Sequence, residues 1–484
     1  ENRRIYWVGT WGSGLHQMIF EDPEGEPLWR NFHHQADDRN SLSDDFIFKI
    51  FRDRSNTLWI TTNRAGINLK VPFTERFRHY RSESDNPGSL SANGIWSFWE
   101  DRAGNLWIGT EEGGLNQLRP GARSFRHFRH DPGKPNSLSN NSVISIREDV
   151  RNPGVLWLAT LGGGLDRFDS RKETFTHFPY DPADDHGIGT DNLLTLFQDS
   201  SGVLWIGTFD AGLVRFDPAA ASNKQFRHFR HDPDNPNSPG DNYICKIVKD
   251  RRGNFWLGTF DSGLNRLIPG KAGEPARFKR YVHDPENPNT PSNNIVATIL
   301  EDRFQPDILW IGSQGGLSRL DSREETFTHY YEQDGLPNQV IYGILQDDDG
   351  HLWLSTNLGL SRFSPSTGAF RNYDAGDGLQ ANEFNFSAYH RGHSGRFYFG
   401  GENGFNAFWP AQIVDNPYRP PVVITSIKTF DREVARDIAG PEGFSFGHDQ
   451  KYLTFEFAAL NYFNSGKNRY AYRMNGFDDD WIDA

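Results

Sequence analysis

One phrase, seen in its clearest form as LWIGTEEGGL, recurs nine times along the 484 residues of this chain. Successive tryptophans of the phrase, from Trp59 to Trp353, are 48, 50, 48, 51, 54 and 43 residues apart. A period of this length is typical of four-stranded propeller blades. The phrase residues are Trp7, Trp59, Trp107, Trp157, Trp205, Trp256, Trp310 and Trp353, with Tyr398 in a degenerate ninth copy.

Each repeat reads as four short strands separated by tight turns. In residues 89–130 the runs SLSANGIWSFWED, LWIGT, LNQLRP and SFRHFRH are separated by Gly-containing segments, and no run has helical periodicity. A lone four-stranded sheet leaves both faces in water, whereas sheets arranged radially bury each face against a neighbour. We therefore predict an all-β chain built on a β-propeller. The recurring Trp and Gly are expected to be core and turn residues rather than a stacking platform for a ligand.

The blade count follows from where the period begins and ends. Residue 1 falls in the turn between the first and second strands of a blade, and residues 382–410 supply three strands of the last one. Seven phrase positions counted back from Tyr398 reach Trp107. A seven-bladed ring is therefore favoured, although a single ring of eight or nine blades stays open.

This count divides the sequence into three segments. Residues 81–414 form the predicted propeller, and residues 1–80 are two trailing blades of a preceding propeller or the first blades of a single larger ring. Residues 415–484 contain VVITSIKTF and KYLTFEFAALNYF, which read as strands of a β-sandwich that has only begun by Ala484.

Composition excludes several classes of function. A net charge of −13 disfavours nucleic acid as a partner, because such binding depends on Lys and Arg contacts to phosphates. A single cysteine, Cys245, excludes an internal disulfide and a cysteine-rich metal site. No apolar run approaches twenty residues, so we expect no transmembrane helix here and any membrane attachment to lie outside this sequence. We also expect no cofactor.

Two observations argue against catalysis and metal binding. The fourth strand of many repeats carries one histidine, and single histidines on separate blades cannot meet within about 2 Å of one ion. The sequence also lacks a nucleophile elbow, an HExxH motif and a phosphate-binding loop. We therefore predict no catalytic and no metal-binding residues, with a glycosidase built on Glu111, Asp210 and Asp261 as a minor alternative. The strand-four histidines are His79, His127, His177, His228 and His329.

Ligand-binding residues are expected where the repeats differ from one another. The turn between the second and third strands lies at the same end of each blade as the loop before the first strand, so together they form one face of the ring. Aromatic rings beside carboxylates and amides suit a sugar, which presents both C–H patches and hydroxyls. The candidates in these turns are Trp11, Arg64, Glu111, Glu112, Phe209, Asp210, Phe260, Asp261, Gln314 and Asn357.

Two lysines on predicted first strands complete the ligand-binding candidates. Lys49 and Lys246 stand where four other blades have a small hydroxyl residue. A lysine on an innermost strand must reach a carboxylate or a water-filled channel, so a structural ion pair is the alternative to ligand binding. The small residues at the same position are Ser97, Ser145, Thr195 and Thr298.

A second recurring polar position precedes the first strand. An Asp, Asn or Gln at this position can hydrogen-bond the backbone of its own loop, and a structural role is favoured because nearly every blade has one. The residues are Asp45, Asn93, Asn141, Asp191, Asn242, Asn294, Gln339 and Asn382.

These motifs resemble a known family. The repeat x-G-x-LW[IL]GT-x-x-GGL, preceded by SLS-x-N-x-[IV], resembles the two-component regulator propeller repeat from Tyr6 to about Pro410. The segment NRYAYRMNGFDDDW, with Tyr470, Tyr472 and Trp481, resembles the opening of the three-tyrosine-motif domain that follows such propellers.

The resemblance implies a sensor function. Proteins of this kind are extracytoplasmic sensor regions on the periplasmic side of a bacterial inner membrane, followed by a membrane helix and a histidine kinase or a diguanylate cyclase. Many of them sense products of polysaccharide breakdown. It therefore implies a small-molecule ligand, which we expect to be an oligosaccharide, and a homodimer formed through the sandwich. A protein-interaction scaffold and, less favoured, a propeller lyase remain alternatives.

Overall fold

The computed structural model of the chain is nearly all β, which confirms the predicted fold class. In the part of the chain that it describes there is no α-helix, and 3₁₀ helices span Glu332–Asp334, Ala375–Asp377 and Pro410–Gln412. The structure describes all residues except 1–3, 23–24, 37–40, 72–75, 185, 222–223, 271–274, 415–419, 431, 437–443, 449–451, 461–467, 469 and 484. The chain divides into two compact units, Glu75–Ile413 and a second unit made of Glu1–Thr74 with Val414–Ala484.

Two three-stranded antiparallel sheets form the N-terminal part of the second unit. They pack against each other around Leu15, Ile47 and Ile60. The sheet β4-β5-β6 matches the first three strands of a repeat, and the next strand of the chain belongs to the ring instead. The strands are β1 (Arg4–Gly9), β2 (Leu15–Phe20) and β3 (Leu28–Phe32), then β4 (Ile47–Arg52), β5 (Leu58–Thr62) and β6 (Ile67–Lys70).

The unit Glu75–Ile413 contains seven four-stranded antiparallel sheets among its described residues, here called blades 1 to 7. Blade 1 has β8 (Ile95–Glu100), β9 (Leu106–Thr110), β10 (Leu115–Leu118) and β11 (Arg126–Phe128). Blade 2 has β12 (Val143–Glu148), β13 (Val155–Thr160), β14 (Leu165–Asp169) and β15 (Thr174–Phe178). Blade 3 has β16 (Leu193–Gln198), β17 (Leu204–Thr208), β18 (Leu213–Phe216) and β19 (Phe226–Phe229).

The remaining blades follow the same order. Blade 4 has β20 (Ile244–Lys249), β21 (Phe255–Thr259), β22 (Leu264–Ile268) and β23 (Arg277–Tyr281). Blade 5 has β24 (Val296–Glu301), β25 (Ile308–Ser313), β26 (Gly316–Asp321) and β27 (Thr326–Tyr330). Blade 6 has β28 (Ile341–Gln346), β29 (Leu352–Thr356), β30 (Gly359–Ser364) and β31 (Ala369–Tyr373). Blade 7 has β32 (Phe384–Arg391), β33 (Phe397–Gly401), β34 (Gly404–Phe408) and β7 (Arg78–Tyr80).

The blades form a closed ring. The first strand of each blade contacts the first strand of the next, from β8 through β12, β16, β20, β24 and β28 to β32, and β32 contacts β8. Blade 7 takes its outermost strand from the beginning of the ring, because β7 pairs antiparallel with β34. Closing the ring with strands from both ends of the segment Glu75–Ile413 ties these two ends together.

The phrase tryptophans fill the spaces between blades, as predicted. Trp107, Trp256 and Trp353 have no exposed surface, and aliphatic and aromatic side chains from the next blade surround them. In blades 1 to 6 the indole Nε1–H also has a hydrogen-bond acceptor. In six blades it donates to the aspartate that ends the first strand, as in Trp107 to Asp101 at 2.8 Å and Trp353 to Asp347 at 2.9 Å.

The C-terminal part of the second unit has two further sheets. Two of its strands lie in the runs predicted from the sequence, and β35 pairs antiparallel with both β36 and β37. The identity of this segment as a three-tyrosine-motif sandwich stays a prediction. The strands are β35 (Val422–Thr429), β36 (Arg432–Arg436), β37 (Leu453–Ala459), β38 (Ala471–Tyr472) and β39 (Ile482–Asp483).

Candidate functional site

One end of the ring, here called the upper face, is formed by the turns between second and third strands and by the loops before first strands. Backbone hydrogen bonds join the two sets of segments. Phe260 N donates to Tyr243 O at 3.2 Å, and Gly263 N donates to Asn294 O at 2.9 Å. Because these bonds recur from blade to blade, the turns that vary most in sequence are held at equivalent positions around the ring.

The recurring Asp and Asn residues before the first strands build this face rather than bind a ligand from it. Asn141 Oδ1 accepts a hydrogen bond from His130 N at 2.8 Å, and Asn242 Oδ1 accepts one from His231 N at 2.8 Å. The backbone carbonyl of Asn141 also accepts from Gly114 N. The structural role favoured by the sequence is therefore confirmed at these positions.

The strand-four histidines also have structural partners. His127 Nε2 bonds Ser89 O at 2.8 Å, and His228 Nε2 bonds Gly187 O at 3.0 Å. Each ring holds a carbonyl of the loop that precedes its own blade, so these histidines are spread around the ring rather than gathered at one ion. The residues Asp347, Asp349 and His351 lie close together, but both oxygens of Asp347 already accept hydrogen bonds.

Three aromatic side chains line up on the upper face of blades 3 and 4. Tyr243 stacks on Phe260 with ring centroids 4.6 Å apart, and it contacts Phe209 at a tilt of 40° with centroids 4.5 Å apart. Phe209 is 47% exposed and Phe260 is 41% exposed, so both residues are open to solvent. Burial raises the pKa of Tyr243 to about 12, which keeps its hydroxyl protonated as a hydrogen-bond donor. We call Phe209, Tyr243 and Phe260 the aromatic column.

Each of the two phenylalanines of the aromatic column is followed in the chain by an aspartate. Asp210 and Asp261 directly follow Phe209 and Phe260 and are exposed. Planar apolar surfaces with adjacent hydrogen-bond acceptors match the alternating C–H and hydroxyl surface of a sugar. The structure therefore joins Phe209 and Phe260, two of the residues predicted from the sequence, through Tyr243, and Asp210 and Asp261 are their exposed chain neighbours.

A second group of carboxylates lies where blades 1 and 7 meet. Burial raises the pKa of Glu111, and the negative charges of Glu402 and Glu112 raise it further. Sequence reasoning missed Glu402, which occupies the same turn of the degenerate ninth repeat. Aligning FYFGGENGF with LWIGTEEGGL would have placed it there.

The other predicted residues are more dispersed. Gln314 and Asn357 stand in the corresponding turns of blades 5 and 6, so they lie on the upper face but outside the aromatic column. Trp11, Lys49 and Arg64 belong to the other unit, where Trp11 packs edge-on against Phe46 and Phe48. Lys49 and Arg64 are exposed there. Ligand binding by all twelve predicted residues stays a prediction.

Lys246 lies inside the ring rather than on its face. It lines a cavity of about 170 Å³ with residues from six of the seven first strands, which places the cavity on the ring axis. Its Nζ lies 4.6 Å from the centroid of the Tyr389 ring. The lysine thus reaches the channel, one of the two destinations that the sequence allowed.

Tyr389 reaches the channel because blade 7 departs from the repeat. Two equivalent positions of the second strand pair with residues that are three apart in β8 but five apart in β32, where the residues are Phe384 and Tyr389. The extra residues of β32 form a bulge, in which Ser387 adopts φ 61°. The bulge directs the Tyr389 hydroxyl to Thr298 Oγ1 at 2.7 Å. The Tyr389 ring packs against Gly343, where a Cβ atom would lie only 2.3 Å from the ring.

Two more basic residues line the same cavity. Arg147 stacks on Trp99, with the guanidinium carbon 4.8 Å from the ring centroid, and burial lowers its pKa to about 10, so it stays charged at neutral pH. Burial and the nearby Arg147 charge lower the pKa of His390 to about 3, so its ring is neutral. We call Arg147, Lys246, Tyr389 and His390 the channel cluster.

Sequence reasoning missed three of these four residues. Arg147 could have been recognised from the sequence. In blades 1 to 6 the first-strand residue that pairs with the phrase tryptophan is aromatic or aliphatic, except for Arg147 in blade 2. His390 is the equivalent residue in blade 7. Tyr389 carries no such signal, since its orientation depends on the bulge in β32.

The sequence profile of the family described as "Two component regulator propeller" matches five segments of the chain. Each segment covers the first two strands of a repeat and the turn that follows them. The matched residues are 41–64, 89–112, 187–210, 238–261 and 335–358.

This chain carries two-component regulator propeller repeats. Among curated proteins, "Histidine kinase P4" of Formosa agariphila is 25% identical over a match that covers 47% of this chain and 20% of the kinase. The chain therefore spans a fifth of the length of that relative. This match to part of a histidine kinase agrees with the family resemblance seen in the sequence, as do the repeats.

Solved structures show the same architecture. The extracellular domain of BT3049 from B. thetaiotaomicron, described as a hybrid two-component system, superposes with a TM-score of 0.73 at 25% identity, over 99% of this chain and 61% of that domain. The extracellular domain of BT4673 from B. thetaiotaomicron shows the fold alone, with a TM-score of 0.56 at 22% identity over 99% of this chain and 61% of that one. None of the helices in the described part of this chain is long and apolar enough to cross a membrane.

Proposed function

We propose that this chain is the ligand-sensing part of an extracytoplasmic two-component signalling protein, and that it binds a carbohydrate on the upper face of the ring. The aromatic column carries the proposal. It has two exposed aromatic residues, each followed by an exposed aspartate, on the face where the repeats differ most. The relatives, which include extracellular domains and a histidine kinase, support the sensor context.

Signalling requires more than binding. A ligand shifts an equilibrium only if it binds one state more tightly than the other. We propose that the saccharide favours one arrangement of the ring and the segment 415–484, and that a homodimer transmits the change. Solution scattering with and without bound saccharide tests this step, and an unchanged profile at saturation would exclude it.

Calorimetry with a panel of neutral and acidic oligosaccharides tests the binding step. We expect at least one saccharide to bind, and Phe260→Ala to weaken it about tenfold because one stacking face is lost. Phe304→Ala is the matched control, since Phe304 is 56% exposed but lies in a turn between first and second strands. Binding that is equally strong in both variants would exclude the aromatic column as the site.

A further inference from the structure

The axial cavity of the ring is lined by positive charge without negative charge. Of the thirteen residues around it, Arg147, Lys246 and Arg391 are basic and none is an Asp or Glu. Arg391 is paired with Asp348 at 2.8 Å, outside the cavity lining. Arg147 and Lys246 form no ion pair within the described residues.

The two unpaired cations have few other polar partners. Arg147 Nη1 donates to Ile146 O at 2.8 Å, and the rest of the guanidinium faces Trp99 and the cavity. The Lys246 ammonium lies over the Tyr389 ring. Burying a charge without a counter-charge costs free energy, so the buried Arg147 guanidinium and the partly buried Lys246 ammonium on one cavity need another explanation.

The fold does not require either cation. Opposite the phrase aromatic, where blade 2 has Arg147, blades 5 and 6 have Leu300 and Leu345. At the position of Lys246, blades 3 and 5 have Thr195 and Thr298. Both positions therefore accept small or apolar side chains in the same architecture, and the basic residues serve something other than packing.

Neutral donors lie beside the cations. Ser145 Oγ accepts a hydrogen bond from Leu196 N at 3.2 Å, which leaves its own hydrogen free to donate into the cavity. His390 Nε2 accepts from Glu100 N at 3.1 Å, so the neutral ring carries its hydrogen on Nδ1. Two cations together with hydroxyl and imidazole donors form the type of environment that binds an oxyanion.

We propose that the channel cluster binds an anionic group: a carboxylate, sulfate or phosphate. The cavity of about 170 Å³ has room for a group of this size. The group comes either from a free inorganic anion or from an acidic saccharide that enters the channel. The second source deepens the proposed function, on which it rests, by making the sensed ligand acidic.

Calorimetry at constant ionic strength tests the proposal with sulfate, phosphate, galacturonate and neutral galactose. We expect at least one of the three anions to bind. We expect the affinity for galactose, if it binds, to be unaffected by substitutions in the channel. Arg147→Leu and Lys246→Thr install residues that other blades already carry, so both variants should fold, and we expect each to weaken anion binding at least tenfold. Lys249→Thr removes the same charge from the same strand outside the cavity lining and should leave anion affinity unchanged.

The outcomes separate the two sources and the two proposals. Binding of sulfate or phosphate without galacturonate supports a free anion, and tighter binding of galacturonate supports an acidic saccharide. The proposal is overturned if the unaltered chain binds none of the three anions, or if Arg147→Leu and Lys246→Thr bind them as tightly as the unaltered chain does. If Phe260→Ala no longer binds a neutral saccharide but still binds the anions, the result supports the upper face as the saccharide site and leaves the channel proposal unaffected.

Discussion

The two ends of each blade differ sharply although they belong to the same repeat. At the lower rim, defined as the turn between first and second strands, six blades hold the same pair of an aspartate and a phrase tryptophan. At the upper face the corresponding turns hold glutamates in blade 1, aromatic and acidic residues in blades 3 and 4, and amides in blades 5 and 6. Residues that repeat in every blade hold the ring together, whereas residues that differ are free to bind a ligand.

The lower rim owes its uniformity to buried hydrogen bonding. Asp302 Oδ2 accepts from Trp310 Nε1 at 2.8 Å and from Gln346 Nε2 at 3.1 Å, and its Oδ1 accepts from the backbone of Phe304 and Gln305. One side chain therefore satisfies an indole, a turn and the neighbouring blade. An apolar replacement leaves several buried donors without an acceptor, which lowers stability.

The largest expected effect comes from breaking the lower rim at Asp347. Asp347→Ala removes the acceptor of Trp353 Nε1, His351 N and Asp349 N, and we expect it to lower the free energy of unfolding by about 3 kcal/mol. Its neighbour Asp348 is 75% exposed and pairs with Arg303 and Arg391, so Asp348→Ala should cost less than about 1 kcal/mol. Denaturant unfolding measures both, and equal losses would contradict the account of the lower rim.

The same rim should make the ring sensitive to acid. Burial alone would raise the pKa of Asp149, but hydrogen bonds from Trp157 and the backbone of Arg151 and Asn152 outweigh it and hold the pKa below its ordinary value of 3.8. Asp199 shifts in the same direction for the same reason. A carboxylate whose pKa is lower in the folded state stabilises the fold above its unfolded-state pKa.

We therefore expect the contribution of these carboxylates to be constant from pH 7 to 5 and to fall as the pH drops below about 4 towards the folded-state pKa values. Neutral His390, whose pKa is also lowered, makes the whole chain lose stability already below about pH 6.5, so the carboxylate contribution is read from the difference between the unaltered chain and a variant. Thermal unfolding across this range measures the loss. Asp149→Asn should be less stable at pH 7 and should lose less stability on acidification. A transition temperature that stays constant down to pH 2.5 would show that these carboxylates do not stabilise the ring.

Substitutions on the upper face should change saccharide binding rather than the stability of the fold. Asp210→Asn with Asp261→Asn removes two exposed charges, and we expect about a tenfold loss of saccharide affinity with a change in unfolding free energy within about 0.5 kcal/mol. Calorimetry and denaturant unfolding measure the two effects, and product analysis measures turnover. Turnover that disappears in the double variant would point to a glycosidase, and unchanged affinity would favour a scaffold.

The smallest expected effect is at Glu111. Its pKa is raised in the folded state by burial and by the charges of Glu402 and Glu112, so its ionised form destabilises the fold above that pKa. We expect Glu111→Gln to stabilise the ring by a few tenths of a kcal/mol at pH 7 and by nothing at pH 3. Exposed Glu324→Gln is the control, and equal effects of both variants at pH 7 would refute this account of the acidic group.

The sequence predicted the repeating part of the molecule well. The strands of residues 89–130, the burial of Trp107 and the structural use of Asn141 follow from periodicity and from the hydrogen-bonding habits of each residue type. These features depend on contacts within one repeat or between neighbouring repeats, so they are visible in any one copy.

The features that the sequence did not predict depend on departures from the repeat. The strand β7 joins β34 across more than 300 positions of the chain, and no local pattern encodes that pairing. Tyr389 enters the channel through a bulge, and the proximity of Arg147 to one cavity with Lys246 is seen only when the first strands stand around one axis. Tyr243 was missed because its neighbours in the aromatic column come from two different turns.

The measurement that tests the central claim most directly is a structure of the chain with a saccharide found in the calorimetric panel. The account predicts the saccharide on the upper face, with a sugar ring against Phe209 or Phe260 and hydroxyls within hydrogen-bond distance of Asp210 or Asp261. A saccharide bound at the lower rim, or at the outer edge of the blades with the aromatic column empty, would contradict it.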